Sequence, residues 1–155
     1  MTQDYLLGID IGTYESKGVI TDLAGNVITT QVCPHELLIP QQGWAEHDVE
    51  TVWWGDFVTL TRRLLQESGL PPQQIRAVGC SAIGPCVLPV DEQCRPLRTG
   101  GILYGIDTRA VQEIAELETR FGREVIFQQN GNMLSAQSIG PKILWLKNHE
   151  PAIYA

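Results

Sequence analysis

The chain has 155 residues, 43% hydrophobic and 19% charged, a balance that excludes a disordered segment and suits one globular domain. Eleven basic against eighteen acidic residues give a net charge of −7, which excludes a basic face of the kind that neutralises nucleic-acid phosphates. No apolar run is long enough to span a membrane and no basic-then-apolar leader opens the chain, so a cytoplasmic location is expected.

Residues 5–11, 17–22 and 27–33 are predicted as three consecutive strands, the last two joined by the hairpin signal Leu23-Ala24-Gly25-Asn26. Their short connections require antiparallel pairing, because a parallel pair needs a long crossover. A loop with Pro34, Pro40 and Gly43 follows. Asp48 is placed to cap a helix whose Trp53, Phe57, Leu60 and Leu64 share one face, stopped by Gly69 and Pro71. Residues 75–82 are expected as a buried strand and 86–90 as another, with Asp91-Glu92-Gln93 turning after it. A helix is predicted over about 108–121 with Val111, Ile114, Leu117 and Phe121 inward, ended by Gly122. A last helix starts at Pro141 and closes before Pro151. Cys33, Cys80, Cys86 and Cys94 show neither C-x-x-C nor zinc-type spacing with a histidine, so free thiols are expected.

The segment from Tyr5 to Asp22 carries the most chemistry. An apolar strand delivers Asp10 into a Gly12-Thr13 turn, Lys17 follows, and the chain leaves along a second strand. Such a turn offers backbone N–H groups, a hydroxyl and an ammonium to an anion, and a carboxylate to a hydrated metal. A metal-bound nucleotide phosphate suits those groups; a hairpin whose Asp and Gly serve only the turn is the alternative.

Four patches, in order, resemble the FGGY family of carbohydrate kinases, most closely its xylulokinase-type branch. They are the turn of residues 10–17; Gly43-Trp44-Ala45-Glu46-His47-Asp48 with Trp53-Trp54; residues 78–81 through 90–91, then Pro96-Leu97-Arg98 and residues 104–110; and residues 141–151, Pro-Lys-Ile-Leu-Trp-Leu-Lys-Asn-His-Glu-Pro. The resemblance implies a ribonuclease-H-like (actin/hexokinase-type) α/β fold with a mixed sheet and flanking helices, in which the phosphate turn joins the first two strands. It implies ATP and Mg²⁺ as cofactors, a pentulose, xylulose-like sugar or related polyol as substrate, and an active site between two domains. Residues 1–155 then correspond to the amino-terminal part of the sugar-binding domain. The general-base aspartate and the ATP-binding second domain are expected downstream, leaving this portion inactive alone and apolar enough on its surface to form a homodimer.

Carried over position by position, Asp10 resembles the acid near the metal and γ-phosphate. Gly12, Thr13, Ser16 and Lys17 resemble the phosphate-contacting residues. Where the xylulokinase branch has Met-His and glycerol kinases have Arg-Glu, this chain aligns Gly84-Pro85, which offers only main-chain groups. Asp107 resembles the sugar-contacting acid of a Trp-Asn-Asp-x-Arg segment, read here as Tyr104-Gly105-Ile106-Asp107-Thr108-Arg109, and is equally placed to cap a helix. Gln137 and Ser138 lie where relatives also contact substrate. Trp44, Trp53 and Trp145 are expected as core aromatics, and His35, His47 and His149 have no evident partners in sequence. A non-catalytic metabolite-binding module derived from a kinase, and an actin-like or chaperone protein sharing the fold, are the rival readings.

Overall fold

A computed structural model describes residues 3–154; Met1, Thr2 and Ala155, at the outer limits of the expected domain, lie outside the described residues. In chain order the elements are β1 (Tyr5–Ile11), β2 (Glu15–Asp22), β3 (Val27–Pro34), β4 (Glu46–Asp48), α1 (Gly55–Ser68), β5 (Ile75–Ala82), β6 (Gly100–Ile102), α2 (Val111–Phe121), α3 (Arg123–Asn130), α4 (Ile139–His149) and α5 (Pro151–Tyr154). They gather into two compact units, Met1–Leu37 with Asp48–Ile83, and Leu38–His47 with Gly84–Ala155.

The first unit is a four-stranded sheet in the order β3-β2-β1-β5. β1 and β3 run antiparallel to β2, and β5 runs parallel to β1 after the α1 crossover. This is the mixed sheet expected of the ribonuclease-H-like fold. Period-two alternation places Tyr5, Leu7, Ile9 and Ile11 on one face of β1, where they pack with Ile20, Val52, Leu60 and Leu64. Complete burial of Leu60 and Leu64 contributes about 2 kcal/mol each. Gly18 makes this approach possible, since a Cβ there would lie 2.7 Å from Leu64 Cδ1. Asp48 caps the helical segment as expected, accepting the Thr51 amide at 2.9 Å, but the first turn, Val49–Trp54, is a wide π-helical one that leads into α1. Gly69 ends α1 in the left-handed region at φ 66°.

Expected as a buried strand, β5 is instead largely exposed, with Val78 at 52%. It lies at the end of the sheet, and α1 packs over β3, β2 and β1.

In the second unit β4 pairs with β6, two short strands the sequence did not announce. The strand expected over residues 86–90 does not form. Val87 bridges Ile102 and Val90 bridges Pro96, and between them Pro89 has no N–H for a ladder. The core joins Val87, Ile102, Ala110, Trp145 and Leu146, with Trp44 against it. α2 starts at Val111 rather than Thr108, and its expected inward residues Val111 and Phe121 are exposed. The residue it buries is Glu113, whose Oε1 lies 3.0 Å from His149 Nε2 on α4. α3 was not expected, and α4 begins two residues before Pro141.

Candidate nucleotide turn and sugar loop

In the first unit the side chains of Asp10, Lys17 and Ser81 meet on the sheet face opposite α1. Asp10 is the register partner of Lys17 across β1–β2 and of Ser81 across β1–β5. The Ser81 hydroxyl donates to Asp10 Oδ1. All three line an open groove of about 660 Å³, floored by Gly8, Gly18 and Gly79 and flanked by Val19 and Val32. Lys17 is exposed and its ammonium lies 2.9 Å from Glu15 Oε1, a partner that raises its pKa above the ordinary lysine value.

The turn from Gly12 to Glu15 is closed by the Gly12 amide donating to the Glu15 carbonyl at 3.1 Å. Glycine is required by this turn itself: a Cβ at Gly12 would lie 2.5 Å from the Glu15 oxygen. Gly12 and Thr13 are half-buried and Tyr14 is exposed. Ser16, expected at the phosphate, is fully buried and donates to Asp56 Oδ2 at 2.7 Å, because alternation turns it to the α1 side of β2.

Beneath this turn lies a network the sequence gave no sign of. Asp56, the second residue of α1, is buried and receives Ser16, Cys33 Sγ at 3.1 Å and His35 Nδ1 at 2.8 Å. His35, read as a bystander, reaches the Gly12 carbonyl through Nε2 at 3.2 Å, and its backbone amide donates to the Tyr14 carbonyl at 3.0 Å. Burial pushes the Cys33 thiol pKa up, and neighbouring Asp56 adds to that rise.

In the second unit Asp107 is fully buried and its oxygens are occupied. Oδ2 accepts the Ala45 amide at 2.7 Å and Arg109 Nη2 at 2.7 Å, while Oδ1 accepts the Arg109 amide at 3.1 Å. This corrects the expected capping role: the capping position of α2 is Ala110, not Asp107, whose two carboxylate oxygens are engaged within the unit. It ties the Trp44 loop to the Tyr104–Arg109 segment. Arg109 in turn reaches Glu46 Oε1 at 2.7 Å and lies over the rings of Trp44 and Trp145, 4.2 and 4.9 Å from their centroids. Arg98 bonds the same Glu46 oxygen and pairs with Glu150. Three of the patches that carry the family resemblance are therefore joined in one buried ion network.

The other candidate sugar residues collect around Tyr104–Gly105. Gly84, exposed, and Pro85 are joined by a cis peptide bond and lead into Cys86. Burial pushes the Cys86 thiol pKa up, a hydrogen bond with the Tyr104 backbone opposing it. Gln137 is exposed and lies against Gly105, where a Cβ would be 2.8 Å from its amide. Below them Lys142, almost wholly buried, donates to the Leu103 carbonyl and, at 2.8 Å, to the Tyr104 carbonyl. Desolvation lowers its pKa.

Among the described residues no group of three or more His, Cys, Asp or Glu side chains is placed to hold a metal, and no helix is long and apolar enough to cross a membrane. Among the described residues the four cysteines form no disulfide.

A model of the FGGY family of carbohydrate kinases, N-terminal domain, matches residues 5–155. The L-xylulose/3-keto-L-gulonate kinase of Escherichia coli (strain K12) is 32% identical over 155 residues, covering all of this chain and 30% of that protein. The xylulose kinase of Lactococcus lactis subsp. lactis is 29% identical over 151 residues, 97% of this chain and 29% of that protein. Among solved structures, the xylulose kinase from Rhodospirillum rubrum has a TM-score of 0.85 at 27% identity, over 97% of this chain and 30% of that one. This chain thus spans about three tenths of the length of the relatives it matches. With that family match over residues 5–155 and the β3-β2-β1-β5 sheet order, the chain belongs to the FGGY family of carbohydrate kinases and carries its N-terminal domain sequence.

Proposed function

We propose that this chain supplies the phosphate turn and part of the sugar site of an ATP-dependent kinase acting on a pentulose or a related polyol in the cytoplasm. The observation that carries the reading is the convergence of Asp10, Lys17 and Ser81 on one groove of the first unit, with Gly12 and Thr13 continuing from the end of the same strand.

Asp10 is exposed, which suits an acid that meets an ion through water; Mg²⁺ keeps several waters and needs only one or two carboxylates when phosphates supply the rest. Bound there, the ion would offset charge on the phosphate oxygens. Ser81 holds one oxygen of Asp10 and so fixes the carboxylate's orientation. Lys17 exchanges its Glu15 partner for a phosphate oxygen, a rearrangement an exposed lysine makes at little cost. Gly12 and Thr13 contact the phosphates through the turn. Ser16 and Asp107 are left out of the contact set because their polar atoms are engaged inside their own units.

Sugar recognition draws on Gly84, Pro85 and Gln137 around Tyr104–Gly105. Gly84-Pro85 lacks the Arg-Glu side chains of glycerol kinases, which disfavours glycerol, and equally lacks the Met-His pair of the xylulokinase branch; the pentulose assignment leans on the xylulose kinases among relatives that also include glycerol kinases. Positioning and charge neutralisation are the catalytic contributions assigned to these residues. The sugar hydroxyl is deprotonated by a downstream aspartate in the intact enzyme, so this chain alone is expected not to turn over substrate. Calorimetry with D-xylulose, L-xylulose and glycerol, with and without Mg²⁺·ADP, tests the assignment. Tighter binding of a pentulose is expected; a preference for glycerol, or no sugar binding, would overturn it.

A further inference from the structure

The network under the turn has a geometry that packing alone does not require. His35 stands between two acceptors, with Nδ1 at 2.8 Å from Asp56 Oδ2 and Nε2 at 3.2 Å from the Gly12 carbonyl. Each ring nitrogen is thereby tied to an oxygen, one on α1 and one on the turn. The Asp56 carboxylate also receives Ser16 and Cys33. The same residue also holds a second carbonyl of the turn, because the His35 amide donates to Tyr14. Two carbonyl oxygens of the Gly12–Glu15 turn are thereby engaged by one residue of the chain that follows β3. Repelling carbonyl dipoles must be kept off any polyanion bound at such a turn.

We infer that His35, held by Asp56, is a positioning residue of the nucleotide turn: its ring and its backbone amide hold the Gly12 and Tyr14 carbonyls inward, away from a bound phosphate. This rests on the reading of Gly12 and Thr13 as phosphate contacts. The role is distinct from that of Cys33, which bonds Asp56 without touching the turn.

The test is a calorimetric titration of Mg²⁺·ADP into this chain. His35→Asn and Asp56→Asn should each weaken Mg²⁺·ADP binding about tenfold, the worth of one hydrogen bond. Cys33→Ala should leave the affinity unchanged while lowering the melting temperature. His35→Gly should regain affinity when imidazole is added, which separates positioning from general destabilisation. His35→Asn and Asp56→Asn proteins that bind like the wild type would overturn the positioning role alone. Failure of the wild-type chain to bind Mg²⁺·ADP would overturn the nucleotide reading and this role with it.

Discussion

The two units treat charge in opposite ways. In the first, Asp10 and Lys17 stand exposed on one face of the sheet, and the buried polar groups beneath the turn hold backbone in place. In the second, Glu46, Asp107, Arg109 and Lys142 are buried and knit together segments up to about a hundred residues apart in sequence. Exposed charges on a sheet face are available to a ligand, whereas buried charges engaged with one another determine which loops lie together. Residue type alone does not separate the two: Asp10 and Asp107 are both acids beside a basic residue, and burial assigns them different work.

The largest expected effect breaks this contrast most directly. Asp107→Ala leaves the Ala45 amide without its acceptor and the buried Arg109 guanidinium with Glu46 as its remaining carboxylate, and should cost about 3 kcal/mol in urea unfolding. Asp10→Asn should change stability by less than about 0.5 kcal/mol while abolishing Mg²⁺·ADP binding. Equal stability losses at the two positions would erase the distinction.

Lys142 sharpens the second half of the comparison. Replacing it with Met leaves the Leu103 and Tyr104 carbonyls without their ammonium donor, at a cost of about 1–3 kcal/mol in denaturant melts. Because burial lowers its pKa, the folded state releases the proton before the unfolded state does. Stability contributed by this group therefore rises with pH over the range just below the ordinary lysine value of about 10.4. Lys142→Met should remove that slope when unfolding is followed from pH 8 to 10.

A smaller effect compares one turn built twice. In the first unit Asp22 Oδ1 accepts the amides of Ala24 and Asn26, and Gly25 takes φ 88°. In the second, Asp91 Oδ1 accepts the amides of Gln93 and Arg95, and the residue in the left-handed region is Cys94 at φ 59°. Glycine relieves the Cβ strain there, so Cys94→Gly should stabilise by about 1 kcal/mol and Gly25→Ala should destabilise by about the same. Thermal melts of the two variants shifting in the same direction would refute the equivalence.

The smallest effect is read without unfolding. Cys80 and Cys94 are exposed, whereas burial pushes up the thiol pKa of Cys33 and Cys86. Maleimide at pH 7 should label the exposed pair first, with Cys33 and Cys86 following only as the pH is raised. Early labelling of Cys86 would show that the loop around Tyr104 opens.

How much of this was legible depends on whether the cause was local. β1, β2, β3, α1 and β5 declare themselves by periodicity and by Gly25, Gly69 and Pro71, signals contained within a few residues. β4 and β6, three residues each, are too short to show a period and exist only because they pair with one another. The exposure of β5 follows from which strands α1 covers, and the burial of Glu113 from a partner on α4, neither of which its own segment encodes. At the candidate site, the juxtaposition of Asp10 and Lys17 is legible because the turn is local. His35 and Asp56 are 21 residues apart, and Ser81 meets Asp10 over 71 residues, so only the sheet register reveals them.

The central claim is that the turn after β1 holds a nucleotide phosphate beside Asp10. Its most direct test is a backbone NMR titration of this chain with Mg²⁺·ADP. Shifts are predicted at residues 10–17 and at Ser81, lost in Asp10→Asn and retained in Gln137→Ala. No shift at the turn, or the same shifts in Asp10→Asn, would contradict the account.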